Sequence, residues 1–585
     1  MGERPRALRA ATLCEAFQTT AAEWAESPAL RLKDSDYEAS FGEYAAGVRA
    51  RAAGFAALGV GRGDTVGFML TNRPAFFLCD CAAMHLGATC FSVYNTSSPE
   101  QVEYVVGDAA NRVVVTEQAF LATVLEARER VPTLEHVVVV DGEAPEGTIS
   151  LDELEAMGEP GFDFEAAWRA VEPEDVLCLI YTSGTTGPPK GVQLTHANML
   201  AEWNAYDLAF AVKPGGRTIS FLPSAHVADR WSQLYAQMLY APCVHCCPDP
   251  RQMVAYTIEV RPTFWGGVPR IWEKLKTALE AAMEGEADER KRAATESAME
   301  VGRRYVAAYM AGEIPAELRA EWEQADELVF SKVRDLLGLD EVEHFAVGAA
   351  PTPPEVIEFF LAMGIEICEL WGMSETSSAA TLNPPGAVRV GTVGKPLPGV
   401  EIRLAEDGEI LVRGPLVMKG YRNMPEKTAE AIDADGWLHS GDVGEYDADG
   451  YLRIVDRKKE LIINAAGKNM SPAAIEAKLK AASPLIAQAV AFGDRRPYNV
   501  ALLTLDLEYL AARGANHGDA EIVAEIERAV EIANGRLSRV EQIKRFHVLE
   551  GEWAPGGVEL TPTMKLRRRP IERAYEAEIE GLYGE

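Results

Sequence analysis

Positive charge is what this chain has too little of: 57 Lys and Arg stand against 89 Asp and Glu in 585 residues, a formal charge of −32. A phosphate backbone needs a basic face, so nucleic acid is excluded as a general partner, and only a local basic pocket remains open. Long apolar runs are also missing. The greasiest stretch, Pro74 to Tyr94, is interrupted by Asp80 and His85 and reads as a core helix and strand, not a membrane span. Arg4, Arg6 and Arg9 precede no apolar signal core, and the opening "MGERPR" lacks the hydroxyl of the myristoylation pattern. Cysteines number nine, and several lie inside apolar runs, which suits reduced thiols and a cytoplasmic protein. The one tight group, Cys243-Val-His245-Cys246-Cys247, has no second half elsewhere, so no zinc site is expected. Internal repeats and low-complexity tracts are absent. Peripheral membrane contact and a homodimer stay open.

What is present is ample apolar residue, 48% of a chain long enough for two or three domains. Up to about residue 370, short β-branched runs alternate with helical patterns: "GDTVGFMLTN" (63–72), "RVVVTE" (112–117), "HVVVVD" (136–141), "RTISFLPSAH" (217–226), "RPTFWGGVP" (261–269), "EHFAVGAAP" (343–351) and "GIEICELWG" (364–372). Such alternation implies an α/β fold with parallel-rich sheets and chemistry on loops at the strand ends. Residues 277–338 break the pattern with helix formers dense in Ala, Glu and Arg, a helical insertion with a solvated face. Two Asp-Gly turns, at 407–408 and 449–450, sit between alternating strands and predict hairpins. Ser471 and Pro472 then open a helix. The boundary falls near 455–460, giving a large domain (1–456) with a small β-barrel-like part and a small α+β domain (457–585).

The stretch "LIYTSGTTGPPKGVQLTHANML" (179–200) sets hydroxyls, glycines and Lys190 between a buried strand and a helical pattern. Small donors in that setting suit phosphate. It is not a P-loop, because Gly191 follows the lysine where a magnesium-binding hydroxyl would stand.

"YTSGTTGPPKG" resembles the signature loop of the adenylate-forming enzymes, the superfamily of acyl-CoA synthetases, luciferases and peptide-synthetase adenylation domains. Further segments resemble its other motifs in order: "GAAP" (348–351), "WGMSETSS" (371–378), "WLHSGD" (437–442), "YLRIVDRKKELI" (451–462) and "LTPTMKLRRR" (560–569). The resemblance implies that Thr182, Ser183, Gly184, Thr185, Thr186 and Gly187, with Lys190, hold the outer phosphates of ATP. It also implies that Gly348, Ala349, Ala350 and Pro351 line an adenine pocket beside Trp371 and Gly372. Trp371 stands where tyrosine is commoner and keeps the π face; Ser374 stands where threonine is commoner and keeps the hydroxyl. By the same match Ser374 contacts phosphate, Glu375 holds Mg²⁺, Asp442 and Arg457 take the ribose, Lys459 is the hinge of a mobile small domain, and Lys565 is the catalytic lysine. The physical need is clear: pushing a carboxylate onto an anionic phosphate requires preorganised positive charge and donors.

Four segments resemble long-chain fatty acid–CoA ligases in particular: "LPSAHVADR" (222–230), "VPRIWEK" (268–274), the helical insertion and "TPTMKLRRR". They imply His226 near the acyl carboxylate, Trp231 and the Gly266-Gly267 pair along an acyl channel, and Gly467 along the route of coenzyme A, with ATP, Mg²⁺ and coenzyme A as the small molecules used. A structural histidine and a core aromatic are the rival readings of His226 and Trp231. The expected reaction is activation of a long-chain fatty acid to acyl-AMP, then transfer to coenzyme A. The alternatives are loading of a carrier-protein phosphopantetheine, a ligase for a medium-chain, branched or aryl acid, and a silent nucleotide-binding module.

Overall fold

The computed structural model describes residues 4–33, 35–182, 188–463, 469–561 and 564–584. It is a mixed α/β protein with a large N-terminal and a smaller C-terminal domain. An eight-stranded sheet carries, in spatial order, Gly420–Tyr421, Lys190–Thr195, Val176–Thr182, Thr89–Ser92, Thr65–Met69, Val113–Thr116, His136–Val139 and Ile149–Ser150. Pairings from Val176–Thr182 outward to Ile149–Ser150 are parallel. The two on the other flank are antiparallel. The all-buried "VVVT" and "TCFS" strands show why alternation is lost here: helices cover both faces.

A second sheet begins with Phe264–Gly267, His344–Val347 and Ile367–Trp371 in parallel and continues antiparallel through Thr381–Leu382 and Lys395–Pro396. Both expected hairpins form. Glu401–Leu404, Glu409–Arg413, Leu438–Tyr446 and Leu452–Arg457 make a four-stranded antiparallel half-barrel sheet. The insertion is helical and starts earlier than its charge pattern suggests, with Pro269–Glu284, Glu289–Met310, Ala316–Ala325 and Ser331–Leu336.

Ser471 caps Pro472–Lys480 by accepting from the Ala474 N–H, as its spacing predicts. That helix packs on a sheet of Ile486–Phe492, Asn499–Leu505 and Ile543–Val548. The hydrophobic clusters of the C-terminal part begin at Ile462, and those of the large part end at Leu452 with Ile454 packed against them. Among the described residues no cluster draws from both. All nine cysteines are buried and unpaired, and among the described residues no helix is long and apolar enough to cross a membrane.

Candidate active site

The strand Val176–Thr182 turns back as Lys190–Thr195, with Thr182 opposite Lys190. Ser183, Gly184, Thr185, Thr186 and Gly187 lie outside the described residues. Thr195 ends the hairpin by capping His196–Phe210 in a reciprocal box with Asn198. The Asn198 amide also donates to the carbonyls of Pro415 and Val417 (2.8 and 2.9 Å). That tie leads the chain into Gly420–Tyr421, which pairs on the free edge of Lys190–Thr195. The Lys190 ammonium therefore sits 3.8 Å from the centroid of the Tyr421 ring. The Tyr421 hydroxyl donates to Glu375 Oε1 at 2.8 Å. Desolvation lowers the Lys190 pKa, and Glu375 opposes that shift.

Ser374 and Glu375 occupy a short 3₁₀ turn just past Ile367–Trp371. Gly372 is required there, since a Cβ would fall 1.7 Å from the Ser378 carbonyl oxygen. Gly348 is similarly confined, with Leu370 Cδ1 2.6 Å from where its Cβ would be. The Gly348–Pro351 segment leaves the neighbouring parallel strand, and Ala349 takes a left-handed φ of 72°. The loop from one strand thus lies against the end of the next, as in other parallel α/β sheets.

Trp371 is the last residue of its strand. Its indole N–H donates to Asp442 Oδ2 at 2.8 Å, and Arg457 Nε pairs with Asp442 Oδ1, also at 2.8 Å. Asp442 and Arg457 face each other across adjacent antiparallel strands. Asp442 is only 5% exposed. Burial raises its pKa, while Arg457, Trp371 and Lys565 pull it back.

Lys565 comes from the C-terminal domain on a turn in which the Thr561 N–H donates to the Lys565 carbonyl (2.8 Å). Its side chain is exposed to the cleft. Desolvation and the nearby Arg457 lower its pKa, against the pull of Asp442, Glu375 and Glu460. The same ammonium helps depress His226, which is pushed down to about 3, chiefly by desolvation. His226 Nδ1 accepts from the Ala228 N–H (3.1 Å), so the neutral ring carries its proton on Nε2. Lys190, Glu375, Trp371, Asp442, Arg457, His226 and Lys565 are thereby gathered around one cleft.

Other candidates sit differently. Trp231 is 3% exposed, stacks on Trp203 at 4.6 Å and donates its N–H to Glu202, among closely packed aromatic side chains. A Cβ at Gly266 would lie 3.3 Å from Ala346 Cβ, and one at Gly267 3.1 Å from Ile271 Cδ1. Protein therefore stands close to the Cβ side of both glycines, which are themselves half-buried. Gly467 lies outside the described residues. Around Lys459 the contacts change sides. Lys458 pairs with Asp407 and Glu409 of the large domain (2.6 and 2.9 Å), whereas Glu460 pairs with Arg568 of the small one (3.1 Å).

Sequence reasoning missed Tyr421; its only local signal is an aromatic flanked by Gly420 and, four residues on, Pro425. It also missed Glu369, whose buried Oε2 has no hydrogen-bond partner, as is true of Thr352 Oγ1. Burial pushes the Glu369 carboxyl up to about 8.

The AMP-binding enzyme family matches residues 17–422, and its C-terminal domain matches residues 459–585. The chain belongs to the AMP-binding enzyme family. A Mycobacterium tuberculosis protein with the provisional name fatty-acid–CoA ligase fadD11 is 54% identical over 75% of this chain and 79% of its own length. The long-chain-fatty-acid–CoA ligase FadD15 of the same species is 36% identical over 92% and 90%. The Xenopus laevis long-chain-fatty-acid–CoA ligase ACSBG2 is 32% identical over 98% and 84%. Among solved structures, the adenylation domain of a Mycobacterium chelonae carboxylate reductase superposes with a TM-score of 0.76 at 20% identity, covering 100% of this chain and 94% of its own. An anthranilate CoA ligase bound to anthranoyl-AMP gives 0.73 at 19%, covering 96% and 97%. These two share the adenylate-forming fold. Family membership makes this chain an AMP-binding enzyme.

Proposed function

We propose that this enzyme activates a long-chain fatty acid with ATP and passes the acyl group to coenzyme A. In the first step a carboxylate oxygen bonds to the α-phosphorus and pyrophosphate leaves. In the second the coenzyme A sulfur bonds to the acyl carbon and AMP leaves. The observation that carries the reading is the arrival of Lys565, from the small domain, at a cleft where Glu375, Asp442 and Arg457 already converge. Its ammonium is a compact charge suited to the meeting of two anions. The named relatives support the choice of acid.

Within that reading Thr182 and Lys190, with the adjoining loop, hold the outer phosphates, and Ser374 contacts phosphate. Gly348, Ala349, Ala350, Pro351, Gly372 and Trp371 take the adenine, and Asp442 and Arg457 take the ribose. Neutral His226, with its Nε2 proton, faces the acyl carboxylate. Glu375 fits a magnesium ion: Oε1 takes the Tyr421 hydroxyl, and among the described residues Oε2 accepts no hydrogen bond. A single carboxylate oxygen suits a cation that keeps most of its waters, and the ion when bound would offset charge on pyrophosphate. Residues 1–456 form the large domain and 457–585 the mobile one. The switch of partners between Lys458 and Glu460 supports Lys459 as the pivot. We also assign the protein to the cytoplasm, in keeping with nine buried, unpaired thiols.

The test is pyrophosphate release with fatty acids of graded chain length, with and without coenzyme A. Release with long-chain acids, and steady acyl-CoA formation once coenzyme A is added, is the expected result. Release that coenzyme A leaves unchanged would move the acceptor to a carrier-protein phosphopantetheine.

A further inference from the structure

We propose that the Trp371 indole N–H is a positioning group for ribose recognition, holding the Asp442 carboxylate so that a vicinal diol can bridge its two oxygens. The proposal rests on the reading of Asp442 as the ribose contact. A carboxylate offers about four acceptor positions. One is used on Oδ2, which accepts from Trp371 Nε1 at 2.8 Å, while Arg457 Nε is ion-paired with Oδ1 at the same distance. At least one acceptor position therefore remains on each oxygen, and two adjacent hydroxyls can use both at once. With only Arg457 in place, the carboxylate could rotate about its Cβ–Cγ bond and the paired geometry would be lost.

The two partners of the carboxylate come from separate places. Arg457 is the cross-strand neighbour of Asp442 in the half-barrel sheet, while Trp371 ends a strand of the five-stranded sheet. Their meeting on one carboxylate locks the two sheets together at the cleft. It also couples a ring face to a diol site, which is the layout of a nucleoside. A phenylalanine at 371 would supply a comparable face and no donor, so the N–H has a separable role. Asp442 is buried and so cannot borrow a replacement donor from bulk water at no cost.

The experiment is calorimetric binding of AMP, 2′-deoxy-AMP and 3′-deoxy-AMP to the full-length enzyme and to Trp371→Phe. The wild type should lose affinity for each deoxynucleotide. In Trp371→Phe, AMP should bind about tenfold more weakly, and the penalty for removing either hydroxyl should shrink toward none. A variant carrying benzothienylalanine at 371, which replaces the N–H by sulfur and keeps the bicyclic shape, should behave as Trp371→Phe does and covers the case in which phenylalanine disturbs folding. An equal weakening of all three nucleotides in both variants would reduce Trp371 to a stacking face and overturn the proposal. Asp442→Ala separates the two readings: if it binds AMP and the deoxynucleotides with the wild-type pattern, the assignment of Asp442 to ribose fails first.

Discussion

The two sides of the cleft are built in opposite ways. On the large-domain side Glu375 and Asp442 are 5% exposed, and Tyr421 and Trp371 meet them in hydrogen bonds of 2.8 Å. On the small-domain side Lys565 is exposed, and the contacts that bring its domain across are charged: Arg270 to Asp506 (3.0 Å), Lys274 to Glu508 (3.2 Å) and Glu273 to Lys480 (3.6 Å). All three large-domain partners lie on Pro269–Glu284, the first helix of the insertion. Each apolar side chain buried between domains would hold them by about 1.5–3 kcal/mol, whereas an exposed ion pair contributes about 0–1 kcal/mol. The domain movement proposed above is better served by the second kind of contact. The difference assigns geometry to one side and exchange to the other.

The largest expected effect breaks the exchange side. Lys565→Ala should slow pyrophosphate release about 100- to 1,000-fold and leave the melting temperature nearly unchanged, because no packing is lost. A large fall in melting temperature would give Lys565 a structural part that the comparison denies it.

Next come the buried charges that hold each domain together. Arg230 and Asp80 pair at 2.7 Å with both side chains at 1% exposure or less, and Arg568 grips Glu476 through two bonds of 2.6 Å. Removing one partner leaves a buried charge and costs about 3–5 kcal/mol. Calorimetry of Asp80→Ala should therefore lower the unfolding transition of the large domain alone, and Arg568→Ala that of the small domain alone. A common shift in both would mean that the domains unfold as one unit.

Glu369 sharpens the comparison through pH. With its folded pKa raised to about 8, the native state keeps this proton up to about pH 8, while the unfolded chain releases it near pH 4.3. Between those values the native state binds more protons, so stability falls as pH rises and levels off above about pH 8. Glu369→Gln removes that slope. Its gain in melting temperature over wild type should be small at pH 5 and greatest near pH 8, with a gain independent of pH as the failing outcome.

The smallest effect is the latch. Arg270→Ala breaks a partly buried pair; it should cost about 1 kcal/mol and change the ratio of coenzyme A transfer to pyrophosphate release by less than about fivefold, an effect that 0.5 M salt should weaken in the wild type. A larger, salt-insensitive change would show that the joint depends on more than charge.

Much of the fold could be read from local pattern. The β-branched runs are strands, both Asp-Gly turns close hairpins, and Ser471 caps the helix it precedes. The groups that meet at the cleft were legible where motifs concentrate them, at Lys190, Trp371 to Glu375, Asp442 to Arg457 and Lys565. The partners of those groups were not. Tyr421 is 46 positions from the carboxylate it meets, and Trp371 is 71 from Asp442. Trp231 has the same sequence signal whether it gates a channel or fills a core, and its stacking on Trp203, 28 positions away, is not visible in that signal.

By itself, then, the sequence determined the alternating architecture, the placement of reactive groups on strand-end loops and the class of phosphate chemistry. All of these are set by periodicity, turn residues and short-range order along the chain. Tertiary structure decided which carboxylate oxygen faces which donor, which glycines are covered by protein, and on which side of Lys459 each charge is held. Those depend on distant segments meeting at hydrogen-bond distance, and burial then turns each meeting into a pKa, a strength and a direction that no local pattern contains.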